Sequence, residues 1–142
     1  MTLELVRGSL PLVLPGKFKP WSIEPGHSKF LMRGFLGEEE SEEPSRIFDV
    51  LFQDVSRISL ADRYSDLWVS LASPERVKIL EQRAGRKWPG SRVFLLTEED
   101  ECDYIVAGFL FWAEVTIHAR NRSPLLEESP DPRSVKGRIF RA

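Results

Sequence analysis

The sequence predicts an α+β fold, a predominantly antiparallel β-sheet with one α-helix at about Pro74–Ala84. Three observations carry this. Before Ser73, short segments of period-two alternation are cut at regular intervals by Gly/Pro turn signals, the spacing of a strand meander rather than of βαβ units. Between Ser73 and Gly85 a full set of helix start and stop signals occurs once. The chain has 142 residues, 42% hydrophobic and 30% charged, which is one domain's worth of material with enough apolar surface for a core.

The elements follow in order. Residues 2–7 alternate, with Leu3 and Leu5 on one face and Val6 on the other. Gly8 and Pro11 interrupt them, and Pro15-Gly16 signals a turn. Residues 17–23 alternate again, where Pro20 marks an edge strand or a break. Pro25-Gly26 is the next turn, and residues 29–36 resume as a strand with Gly34 at a bulge or a close approach. Residues 47–58 admit two readings. Ile47, Phe48, Leu51, Phe52, Val55 and Ile58 fit an amphipathic helix, whereas the β-branched and aromatic content fits a strand. We read strand, with a bulge near Gln53-Asp54. Residues 67–71 form a further strand candidate.

In the helix, Ser73 is the N-cap, Pro74 suits the first helical position, Glu75 favours the positive dipole end, and Gly85 is the stop. Pro89-Gly90 turns the chain into residues 92–96. A charged connection then leads to residues 104–112, so the pair reads as a hairpin that residues 112–118 can extend. Residues 1–118 are expected to form the domain. Residues 119–142, rich in proline and charge, are expected to be irregular, with 135–140 able to dock as a short strand.

Composition bounds the function. Mean hydropathy is −0.26, and no apolar run approaches the ~18 residues that span a bilayer. The first residues lack the basic head and cleavage pattern of a signal peptide. The expectation is a soluble, cytoplasmic protein without membrane contact. The single cysteine, Cys102, permits no internal disulfide and no Cys-based zinc site. Its acidic neighbours disfavour the thiolate that a nucleophile needs.

Net charge is −2, yet charge is segregated. Ten of the 22 acidic residues lie in two runs: Glu38, Glu39, Glu40, Glu42 and Glu43, then Glu98, Glu99, Asp100, Glu101 and Asp103. These residues are the candidate partner-binding set. Neither run has the Asp/Asn-x-Asp spacing with a central glycine that wraps calcium, so the alternatives are solvated loops or a patch for a basic protein partner.

The stretch Arg83-Ala84-Gly85-Arg86-Lys87-Trp88 joins cations to an aromatic. Without an RNP, helix-turn-helix or zinc-finger pattern, however, nucleic-acid binding is not expected. No HExxH, CxxC, GxSxG, P-loop or GxGxxG pattern occurs, so no catalytic residue, metal site or cofactor is assigned. Trp21, Glu24 and His27, around the Pro25-Gly26 turn, are the alternative: a small-molecule or enzymatic cleft. His118 falls on the polar phase of its strand.

The block Asp49-Val50-Leu51-Phe52-Gln53-Asp54-Val55-Ser56-Arg57-Ile58-Ser59-Leu60, followed by Leu67-Trp68-Val69, resembles a pattern in small β-rich bacterial immunity proteins of polymorphic toxin systems. The likeness covers about twenty residues of strand and carries no functional residue across. It implies a stoichiometric protein inhibitor, and acidic patches suit the neutralisation of a basic toxin. The proline-rich segment after Ala119 has no counterpart in that pattern. The expected function is therefore a non-catalytic protein-binding module, either immunity-type or a regulatory partner.

Overall fold

A computed structural model describes residues 3–36, 45–97 and 103–142. Its strands are β1 (Leu5–Arg7), β2 (Leu12–Glu24), β3 (Lys29–Phe35), β4 (Ser45–Gln53), β5 (Arg57–Ser59), β6 (Tyr64–Leu71), β7 (Arg92–Leu95), β8 (Tyr104–Ala107), β9 (Phe109–Ile117) and β10 (Val135–Arg141). One α-helix, α1 (Pro74–Ala84), lies between β6 and β7. The strand order is β1-β10-β9-β4-β3-β2-β6-β7-β8-β5. Every neighbouring pair is antiparallel except β1 with β10, which is parallel. The fold is α+β, with a mostly antiparallel sheet.

The β5 end of that order is joined through the chain to β4. β4 pairs β9 and, three residues on, β5 pairs β8, while only Gly108 separates β8 from β9. Residues 45–59 and 104–117 are therefore one bent two-stranded ribbon. Backbone bonds Gly108 N–H to Gln53 O (3.0 Å) and Ser56 N–H to Val106 O (2.8 Å) carry the ladder round the bend. Following the pairings from β4 through β3, β2, β6 and β7 returns to this ribbon, closing a circuit of six strands. All six contribute to one buried cluster that includes Phe18, Phe30, Phe52, Tyr64, Leu67, Phe94, Ile105 and Trp112. Phe52 meets Phe30 and Phe94 edge to face across this interior.

The bend explains why residues 47–58 fit two periodicities. Phe48, Val50 and Phe52 face the interior cluster, while Ile47 and Leu51 pack on the outside. A strand covered on both faces is apolar nearly throughout and imitates a helical stripe. It stops at Asp54, whose φ of 54° breaks the ladder where the bulge was expected.

Pro15-Gly16 corrects the sequence reading, because the chain does not turn there. β2 continues through it as an irregularity against β6, with the register shifting between Leu14 and Lys17. Gly16 takes φ 121°, and the Asp66 carboxylate accepts its N–H at 2.9 Å. A side chain from β6 thus supplies the acceptor that an isolated turn would have needed. At Pro20, β2 is paired only with β3 and the register shifts again, so the missing N–H costs no ladder bond on the β6 side. Gly34 marks a close approach rather than a bulge. It lies opposite Phe18, and a Cβ there would sit 2.3 Å from the ring.

Helix α1 forms as its signals require. Ser73 Oγ accepts the Arg76 N–H, and Gly85 adopts the left-handed cap with its N–H on Gln82 O. Leu80 then packs with Trp88, Val93, Tyr104 and Val106 on the outside of β7 and β8.

Residues 119–142 hold two 3₁₀ turns, Pro124–Leu126 and Pro132–Ser134, and supply the strand that sits between β1 and β9. Glu114 on β9 ties that strand in. Its carboxylate pairs with Arg46 of β4 and with Lys136 of β10 at 3.4 Å.

Two expectations follow from these contacts. Gly34→Ala must displace the Phe18 ring and is expected to cost about 1–3 kcal/mol in urea denaturation. Gly26→Ala, with open space at its Cβ, should cost well under half of that.

The second concerns Glu114. Burial pushes its carboxyl pKa up, but Arg46 and Lys136 outweigh that and hold it below the ordinary value. A group depressed in the folded state stabilises above its unfolded pKa and loses that contribution as pH falls through its folded pKa. The stability gap between the parent and Glu114→Gln should therefore be full at pH 7 and vanish in acid. Because both cations are largely exposed, its size should stay within about 1 kcal/mol. Urea melts across pH 2–7 read both features.

Candidate functional site

The outer face of β3, β4 and β9 is closed by residues 119–126, and one buried ion pair holds them there. Arg33 and Asp49 are direct partners across β3 and β4, so their side chains share a face. Both are fully buried. The guanidinium meets the carboxylate with two bonds, Nε to Oδ1 at 2.7 Å and Nη2 to Oδ2 at 2.9 Å. Its Nη1 donates to the backbone carbonyls of Ala119 and Asn121, each at 2.9 Å. The Trp21 ring lies 5.1 Å from the Arg33 guanidinium carbon and packs edge-on against Phe35. Burying the pair is costly unless its donors and acceptors are filled, and here two sheet strands and the C-terminal segment fill them together.

The clamp places the Pro124–Leu126 turn. Ser123 Oγ accepts the Leu125 N–H at 3.1 Å, and Leu126 packs on Leu31 and Leu51. Between this turn and strands β1 and β10 runs a groove of about 360 Å³. Leu51 and Phe111 form its floor, Leu3, Leu5 and Ile139 one wall, Pro124 and Leu125 the other. Leu5 is 54% exposed, and Phe109, on the same face of β9 as Phe111, is 44% exposed. Glu127 and Glu128 stand on the rim. Glu127 pairs with Arg122 at 2.9 Å, whereas Glu128 has no partner among the described residues.

Strand β1 bounds the groove, and its edge away from β10 pairs with no strand among the described residues. Ile139 donates to Glu4 O and Gly8 donates to Arg141 O, so Glu4 and Gly8 turn their backbone groups toward β10. Alternation along the strand then turns the N–H and C=O of Leu5 and Arg7 away from it.

The residues singled out from the sequence are placed as follows. Glu38, Glu39, Glu40, Glu42, Glu43, Glu98, Glu99, Asp100 and Glu101 lie outside the described residues, as does Cys102. Asp103 is described, and it points inward. Its carboxylate accepts the Tyr64 hydroxyl at 2.8 Å, and its carbonyl accepts the Leu96 N–H.

Trp21 and Glu24 are engaged by different partners. Trp21 covers Arg33, and Glu24 pairs with Arg122 of the C-terminal segment. His27 ends the 3₁₀ turn Pro25–His27, and its side chain lies outside the described part. His118 Nδ1 accepts the Arg120 N–H at 3.2 Å. Among the described residues no group of three or more His, Cys, Asp or Glu side chains is placed to hold a metal ion. No described helix is long and apolar enough to cross a membrane.

The groove itself was not read from the sequence. Its available signal was Phe109 and Phe111 on one phase of a strand whose other phase, Leu110 and Trp112, was already apolar. Comparison with known proteins finds no matching family model, no matching curated protein and no matching solved structure.

Breaking the clamp should be severe. Arg33→Met leaves the Asp49 charge buried and unpaired, and orphans two carbonyls, with an expected cost of about 3–5 kcal/mol in urea denaturation. The double substitution Arg33→Met, Asp49→Leu should recover most of that loss. Limited proteolysis within residues 118–134 should accelerate in the single variant.

Proposed function

We propose that this protein is a non-catalytic protein-binding module, an immunity-type inhibitor or a regulatory partner, that acts by occupying a basic protein. The observation that carries this reading is the apolar groove bounded by the edge of β1 away from β10. Apolar anchors seated in a groove, with backbone groups open beside them, match the requirements of strand addition. The partner contributes an extended segment whose N–H and C=O groups meet Leu5 and Arg7. Its alternate side chains enter between Leu5, Ile139 and Leu125. Large apolar anchors at the centre of such a contact supply most of the binding energy.

The preference for a basic partner comes from charge. Glu128 on the rim has no counter-ion among the described residues. The runs Glu38–Glu43 and Glu98–Asp103 add negative charge that accelerates encounter more than it tightens the final complex. Nothing in this reading requires a cofactor, a metal or a chemical step.

The test is affinity capture from the native organism with the parent protein and with Leu5→Glu, followed by titration of the identified partner. The parent should retain a basic protein at one-to-one stoichiometry. Leu5→Glu places a charge on an already exposed position, so it should melt like the parent yet bind at least about tenfold more weakly. Replacing Glu38, Glu39 and Glu40, or Glu98, Glu99 and Glu101, with Gln should leave the melt unchanged. Association should slow, and its dependence on salt should flatten. A partner held equally well by Leu5→Glu would remove the groove from the function.

A further inference from the structure

A second surface, at the C-terminal end of α1, is cationic. Lys78, Arg83, Arg86 and Lys87 are all exposed, and the side chain of none of them has a hydrogen bond or ion pair among the described residues. Lys78, Arg86 and Lys87 line a recess of about 520 Å³ at the C-terminal end of α1, together with Gln82. We propose that this recess docks a short acidic, aliphatic segment of a partner protein.

Helix electrostatics account for only part of the cluster. A cation in the last turn interacts favourably with the helix dipole, which explains Arg83. Lys78 is in the middle of the helix, and Lys87 lies beyond the cap, where that interaction has faded. Like charges gathered at one recess repel, so Lys78, Arg86 and Lys87 oppose one another without a counter-charge. Glu81, the acid in the recess, is committed: its Oε2 accepts the Trp88 backbone N–H at 2.9 Å.

The frame beneath the cations is fixed. Gly85 N–H bonds Gln82 O, Arg86 N–H bonds Glu81 O, and the Glu81 side chain pins Trp88. Charges presented on a rigid turn lose little freedom on binding, which favours a defined ligand over a diffuse ion cloud. Ile79, 38% exposed on the same helix, offers an apolar contact beside the carboxylate sites.

The occupant is a peptide rather than a nucleic acid because no stacking platform accompanies the charge. Trp88 is only 6% exposed and packs against Tyr104, so its ring is closed to a base. The net charge of −2 and the two acidic runs further oppose a long polyanion. A segment of a few residues, with carboxylates for Lys78, Arg86 and Lys87 in the recess and one aliphatic side chain for Ile79 on the adjoining helix surface, is complementary to these groups. This inference does not rest on the apolar groove, which lies on the face of β9, β10 and β1.

The experiment uses the full chain and a fluorescein-labelled eight-residue peptide of alternating Glu and Leu. Its all-Gln counterpart, a single-stranded 12-mer and a 12-base-pair duplex serve as competitors. Anisotropy should show saturable binding of the Glu peptide that weakens as salt rises. Arg86→Glu, Lys87→Glu or Ile79→Ser should each weaken it tenfold or more, while Arg57→Glu on β5 leaves it unchanged. Tighter binding of either oligonucleotide, equal binding of the Gln peptide, or no saturation would each overturn the proposal. So would insensitivity to the α1 substitutions. Because Leu5→Glu leaves the recess intact, it should bind the peptide normally, which separates failure here from failure of the groove.

Discussion

The two-bond contact between Arg33 and Asp49 is the constraint on which the rest of the structure hangs. A guanidinium and a carboxylate without water tolerate no partial solution: every remaining donor must find an acceptor. The sheet alone provides only the carboxylate. The carbonyls of Ala119 and Asn121 take both Nη1 protons, so the barrel formed by the six-strand circuit and the seating of the C-terminal segment share one buried network. The pair contributes less as net stability than as specificity, because two apolar residues could fill the same space without fixing what lies above them. Through this contact, residues 124–126 reach the position where they wall the groove.

The barrel depends on a second constraint, the bend in its long ribbon. Strands close into a ring only where one of them turns a corner, and corners are made at positions that leave the β region or lack a side chain. Here Asp54 and Gly108 face each other across the ribbon. A Cβ on Gly108 would lie 3.2 Å from that of Asp54, and Asp54 itself takes a left-handed φ. The corner separates two outer surfaces with different coverings. The helix shields β7 and β8, and the C-terminal segment shields β3, β4 and β9. The interior is filled by aromatic and aliphatic side chains, so binding chemistry is left to the outside.

Local rules were legible where local physics decides. The helix could be read to its bounds because Ser73, Pro74, Glu75 and Gly85 each act within one turn of the chain. The strand character of residues 47–53 was legible from β-branched and aromatic content, but their partners were not. Pro15-Gly16 shows the limit: the dipeptide is a turn signal in isolation, and a carboxylate fifty residues away converts it into an irregularity within β2. Arg33 shows another. Arg33 in one largely apolar strand and Asp49 in the next carry no sign of each other in the sequence, and only the ladder register puts them opposite one another. The groove draws on five separated pieces of chain, residues 3–5, 51–53, 111, 124–130 and 139, none of which identifies the others. Of the acidic residues proposed for partner binding, Asp103 alone is described. Its inward hydrogen bond depended on Tyr64, 39 positions away.

The parallel pairing of β1 with β10 has a consequence for the order in which the protein is assembled. Leu5 stands beside Ile139, so β1 waits for a strand made more than a hundred residues after it. Until β10 arrives, half of β9 has an open edge carrying Phe111 and Trp112 beside unpaired backbone groups. Long waits for distant partners slow folding, and an apolar open edge recruits other chains. Strand β10 therefore acts as a seal, and the nascent protein is vulnerable to self-association through β9 in the interval before β10 is laid down.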